Sequence, residues 1–150
     1  MYIINRIFRL TRIQKQSIVL FNDILISFIS TFLAFSLRLD RIFDFPYGNE
    51  WIVFILAGLI FIPFFIPFGL YQAIFRYSGL NSLISVFFAS ICYGFVFFNI
   101  LYFAKIIGVP RSVGILQPLL FFILVVSSRV FVGVIIQYMV LPSIRKKTLI

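Results

Sequence analysis

Two ionisable side chains, Asp23 and Arg129, stand inside otherwise apolar runs of this chain. A lone charge at hydrocarbon depth costs at least about 2.5–3.5 kcal/mol, so each needs a partner or a polar route to the interface. Asp23 lies six residues into an apolar run covering 17–37, and Arg129 nine residues before the end of another covering 112–138. If these runs cross a bilayer in opposite directions, a rise of about 1.5 Å per residue puts the two depths within about 5 Å of each other. The spacing predicts an ion pair clasping the first span to the last, supported by Asn22, Ser127 and Ser128. Two other uses stay open: a polar pocket for a lipid phosphate or an ion, and Arg129 snorkelling alone to the interface.

A second polar cluster is "FGLYQAIFRYSGLNSL", residues 68–83, which places Tyr71, Arg76 and Tyr77 between two apolar runs. Tyrosines and a basic residue at such a border suit the headgroup layer, where an aromatic ring has one wet and one apolar end. The chain has no histidine, one cysteine (Cys92) and four acids. Ser-His-Asp and Cys-His catalysis therefore lack their base, a catalytic metal site lacks ligands, and an internal disulfide has no second thiol. No catalytic, cofactor-binding or metal-binding residue is assigned in these 150 residues.

The elements that must position these groups follow from composition. Hydrophobic residues make up 63% of the chain and charged ones only 11%, with a mean hydropathy of +1.15. A soluble domain of this size could not cover that much apolar surface, so lipid is the expected solvent. Four runs approach the roughly 20 residues needed to cross a bilayer: 17–37, 51–70, 83–104 and 112–138. The expected fold is an all-α membrane protein, a four-helix transmembrane bundle over 17–138 with short loops. Pro63 and Pro67 should bend or unwind the second span near its end. Gly108 and Pro110 break the chain between spans three and four, where Ser112 is placed to cap the next helix. Small residues four apart (Ser27/Thr31, Ser30/Ala34, Ser85/Ala89, Ser90/Gly94) allow close helix approach.

The flanks are basic. In residues 1–16, Arg6, Arg9, Arg12 and Lys15 recur among isoleucines, a pattern shared by an interfacial amphipathic helix and by a basic tail that only sets orientation. Ala34-Phe35-Ser36 resembles a signal-cleavage site, but the apolar run is too long for a signal peptide, so an uncleaved span is expected. With the N-terminus inside, cytoplasmic segments hold eight basic residues (Arg6, Arg9, Arg12, Lys15, Arg76, Arg145, Lys146, Lys147) against four outside (Arg38, Arg41, Lys105, Arg111). That balance places both termini in the cytoplasm and Tyr71, Arg76 and Tyr77 on a cytoplasmic hairpin facing anionic lipid. The basic residues form no patch with interleaved stacking aromatics, so nucleic acid is not an expected partner.

The order of these features resembles the membrane portion of the CapD-like family, the membrane-bound nucleotide-sugar 4,6-dehydratases and epimerases of bacterial polysaccharide and glycan biosynthesis. Gly69, Leu70, Tyr71, Arg76 and Tyr77 match that family's hairpin, while Gln72 and Phe75 stand where it usually carries arginine and tryptophan. Asp23 followed by "LAFSLRL", then Pro110-Arg111-Ser112 and Ser128-Arg129, extend the likeness over the whole chain. The resemblance implies an anchor that tethers a cytoplasmic NAD(P)-dependent dehydratase of the UDP-N-acetylglucosamine type to the bacterial inner membrane. It also implies that residues 139–150 are a basic linker whose last four begin a strand leading into a Rossmann domain absent from this chain, where NAD(P) would bind. Polyprenyl-phosphate or that catalytic domain are the partners it suggests, and homo-oligomerisation stays open. The alternatives are a small four-span transporter, for which Asp23 sits far from the bilayer midplane, and a lipid-binding membrane module.

Overall fold

The computed structural model describes residues 11–39, 48–70 and 80–147. They form four helices and no strands: α1 (Arg12–Leu39), α2 (Glu50–Phe65), α3 (Leu80–Ala104) and α4 (Val113–Lys147). Among the described residues three stretches are long and apolar enough to cross a membrane: Gln16–Leu39, Leu83–Ala104 and Val113–Val134. Residues 1–10, the 40–47 loop, the Tyr71/Arg76/Tyr77 hairpin and residues 148–150 lie outside the described residues.

Contacts between elements fix the topology. Asn22 meets Ser128 and Ser30 meets Gln117, so α1 and α4 run antiparallel. Phe87 packs on Phe122, Tyr93 bonds Gln117 and Arg111 lies over Tyr102, so α3 and α4 are antiparallel too. The four helices close a ring in which each packs on its chain neighbour and α4 returns to α1.

Each helix buries one narrow stripe at helical spacing. On α1 it is Asp23, Ile26, Ser27, Ser30, Thr31, Ala34 and Phe35, on α2 Val53, Ala57, Phe61 and Phe65, on α3 Val86, Ala89, Tyr93 and Phe97, and on α4 Val113, Gln117, Phe121 and Val125. The outward faces carry Phe21, Ile29, Ile55, Leu59, Phe88, Phe95, Ile115 and Phe131. Polar groups are thus inside and large apolar ones outside, an arrangement that water would penalise and lipid favours.

Local signals explain the helix ends. Thr11 and Gln14 form a reciprocal capping box, with each side chain accepting from the other's backbone N–H at 3.4 and 3.0 Å. α1 therefore begins at Arg12 and is continuous with the first apolar run, not a separate surface helix over 12–16. The second apolar run, 51–70, unwinds near its end, where Pro67 was expected to interrupt it. α2 ends at Phe65, and residues 66–70 are turns closed by Gly69 N–H on the Ile66 carbonyl at 3.0 Å. Pro67 has no N–H to continue the ladder, and Gly69 adopts φ 67°, which a side chain would oppose. At the other end α4 passes the expected limit of 138 and stays helical to Lys147. Pro142 supplies no N–H to the ladder, yet the helix passes through it into the helix-forming Arg-Lys-Lys stretch.

Ser112 occupies the start of α4 through its backbone, its carbonyl accepting from Leu116 N–H at 3.0 Å. Its hydroxyl makes no cap and has no hydrogen bond among the described residues.

α3 and α4 approach closely at Gly94. A Cβ on Gly94 would stand 3.0 Å from Pro118 Cβ, whereas one on Gly58 meets nothing nearer than the Phe28 ring at 3.8 Å. Gly94→Leu should therefore cost about 1–3 kcal/mol of stability through overpacking. Gly58→Ala should be neutral or stabilise by up to about 1 kcal/mol through helix propensity. Reversible unfolding in mixed micelles distinguishes the two; equal effects would contradict the packing described.

Candidate functional site

The polar side chains of the interior gather at two depths. At the first, Arg129 Nη2 donates to Asp23 Oδ2 at 2.6 Å, with Asp23 fully buried. Beside it Asn22 Nδ2 donates to Ser128 Oγ at 3.3 Å. The structure thus joins α1 to α4 with an ion pair and a neutral hydrogen bond side by side. Ser127 does not take part: its hydroxyl donates to the Ile123 carbonyl of its own helix at 2.8 Å.

The second depth was not anticipated. Tyr93 Oη donates to Gln117 Oε1 at 2.7 Å, and Gln117 Nε2 donates to Ser30 Oγ at 3.2 Å. Ser30 in turn donates to the Ser27 carbonyl at 2.9 Å, which also accepts from Thr31 Oγ1 at 2.8 Å. All three linked side chains are fully buried, and Gln117 is the hub where α1, α3 and α4 converge. A carboxamide suits a hub because it donates and accepts at once. The signal was present in the sequence, since a mid-span tyrosine away from the interface and a glutamine five residues into an apolar run both demand partners.

The two layers are seven residues apart on α1, about 10 Å, but twelve apart on α4, about 18 Å. Helical side chains lean toward their own N-terminus, so the long Arg129 reaches back toward the Gln117 end and takes up much of the difference.

Around Gln117 the packing is aromatic. Phe121, one turn on, meets Phe61 at 5.2 Å, Phe65 at 5.5 Å and Tyr93 at 5.4 Å. α2 is thus held to the bundle through rings: Phe54 stacks with Phe28 and Phe35 of α1 at 6.2 and 6.1 Å.

Tyr71, Arg76 and Tyr77 lie outside the described residues. Of the neighbouring matched positions, Gly69 forms the turn after α2 and Leu70 is buried. Arg111, in the Pro-Arg-Ser stretch, places its guanidinium 5.1 Å from the Tyr102 ring centre. Among the described residues no three His, Cys, Asp or Glu side chains come together, and nothing there is assigned to a cofactor. Both polar layers join helices through side-chain hydrogen bonds.

No protein-family model, curated protein or solved structure matches this chain.

Removing one member of the ion pair should be worse than removing both. Asp23→Leu or Arg129→Met alone should each cost about 3–5 kcal/mol, because the partner charge stays buried. The double variant should lose clearly less than the sum. Additive losses in a micelle unfolding titration would show that the two charges do not interact. Gln117→Leu should cost more than Tyr93→Phe, since it frees hydrogen-bonding groups on two helices. Single interhelical bonds in membranes average about 0.6 kcal/mol, so a Tyr93→Phe loss well above about 2 kcal/mol would contradict the geometry described.

Proposed function

We propose that this chain is a four-span membrane anchor of the bacterial inner membrane with both termini in the cytoplasm. Its role is to hold an NAD(P)-dependent nucleotide-sugar 4,6-dehydratase at the membrane for polysaccharide or glycan assembly. The observation that carries the reading is the shared end of α1 and α4. The antiparallel pair brings the start of α1, with Arg12 and Lys15, to the same face as the end of α4, with Arg145, Lys146 and Lys147. The apolar run of α4 continues through Leu141, and the helix carries on past Pro142 to Lys147. A helix that ends in Arg145, Lys146 and Lys147 suits the cytoplasmic side of an anionic membrane.

The rest of the molecule suits an anchor as well. Its polar groups are spent on joining helices, and the likeness of Gly69, Leu70, Tyr71, Arg76 and Tyr77 to the CapD-like hairpin supplies the enzyme class. Confinement to the surface where lipid-linked intermediates are built would raise the effective concentration of product for the next enzyme. In the fourth span of the proposal α2 and its following turns, residues 50–70, cross together. α2 alone is 16 residues long, about 24 Å.

Two measurements test this. Fluorescent-protein fusions after Lys147 should fluoresce, and alkaline phosphatase inserted after Gly48 or Ile107 should be active; the reverse pattern would invert the topology. The tagged full gene product, purified from its native membrane, should convert UDP-N-acetylglucosamine to a 4-keto-6-deoxy sugar nucleotide. Absence of that activity from both the purified material and the membrane fraction would overturn the assignment.

A further inference from the structure

The outward face of α1 carries Ile18, Asn22, Leu25, Ile29 and Phe32, spaced four, three, four and three residues apart. All are exposed in the single chain, Ile18 at 56%, Leu25 at 46% and Ile29 at 51%. Apolar residues on that face need only lipid. Asn22 does not fit such a face. Its carboxamide offers two donor hydrogens and an acceptor oxygen. Among the described residues it makes a single bond, the 3.3 Å donation to Ser128. Hydrocarbon satisfies none of the remainder, and leaving a polar group unmet there costs several kcal/mol.

We infer that this face is a dimer seam in which α1 packs against α1 of a second copy, with the two Asn22 side chains hydrogen-bonded to each other. The membrane itself selects this partner. Copies inserted with one orientation are related by an axis along the membrane normal, so their α1 helices run parallel and their Asn22 residues lie at one depth. A carboxamide is self-complementary across such an axis, each group donating to the other's oxygen. A four-three spacing keeps a seam facing its partner along a left-handed crossing, and one asparagine within it fixes register and oligomer state. The Asn22 side chain is therefore shared between an intrachain bond to Ser128 and an interchain bond to its copy. The Asp23–Arg129 pair, about 100° around α1 from Asn22 and buried, is left undisturbed.

The test is cysteine crosslinking of the full chain in native membranes, in a Cys92→Ala background because Cys92 is exposed. Leu25→Cys and Ile29→Cys should form disulfide-linked dimers, whereas Ile55→Cys and Leu119→Cys, equally exposed on other helices, should not. Adding Asn22→Leu should lower the dimer fraction at Leu25→Cys about threefold to tenfold, the worth of an interhelical hydrogen bond in a membrane. Ser128→Ala removes only the intrachain partner and should leave that fraction unchanged or higher. Equal loss in both variants would assign Asn22 to the intrachain bond and overturn the seam. Uniform crosslinking at all four sites, or none at Leu25 and Ile29, would overturn it as well, the latter leaving headgroup lipid as the occupant of Asn22.

Discussion

At hydrocarbon depth no water is available to satisfy a polar group, and the architecture of this protein answers that constraint. Helices meet it for the backbone. For side chains it is met by turning polar residues inward, so that Asp23, Ser30, Tyr93 and Gln117 are buried while Phe21, Phe95 and Phe131 face out. Apolar packing alone would specify such a bundle poorly, because lipid tails compete with any leucine for another leucine. The two polar layers remove that degeneracy. A helix rotated by one residue, or shifted by one turn, would strand Asp23 from Arg129 or Gln117 from both of its partners.

The three helices that share these bonds differ from the fourth. α1, α3 and α4 meet at Gln117 and exchange directed hydrogen bonds, whereas α2 is seated by Phe54, Phe61 and Phe65 against rings of its neighbours. Ring packing tolerates sliding that a charge-assisted bond at 2.6 Å does not. α2 is also the shortest of the four and ends where Pro67 interrupts the ladder. Its ring contacts with Phe28, Phe35 and Phe121 supply volume and close the ring of helices.

What the sequence disclosed follows the same physics. Charges in apolar runs are rare and expensive, so Asp23 and Arg129 could be paired by counting residues from the span ends. Asn22 and Ser128 came with them. The Tyr93–Gln117–Ser30 network was missed because uncharged polar residues carry a weaker penalty and are common near interfaces. Only the depth of Gln117 and Tyr93 within their runs distinguishes them from anchors. The Thr-Arg-Ile-Gln capping box was legible but competed with the periodic basic residues around it, which suggested a surface helix or a basic tail that only sets orientation. The end of α4 proved least legible. Pro67 announced where α2 would unwind, whereas Pro142 gave no sign that α4 would stay helical to Lys147.

An anchor of this kind needs a fixed interior, and that rests on the inward orientation of the polar stripe of α1. Site-directed spin labelling along residues 20–32 of the reconstituted protein measures that orientation directly. Oxygen, which partitions into lipid, should reach labels at Phe21 and Phe28, which lie beside the α1 seam, and be excluded at Asp23, Ile26, Ser27 and Ser30, following the helical period of about 3.6 residues. A water-soluble nickel chelate should reach none of them well. Chelate access along one face, or oxygen access peaking at Asp23 and Ser30, would contradict a lipid-facing exterior with its polar groups locked inside.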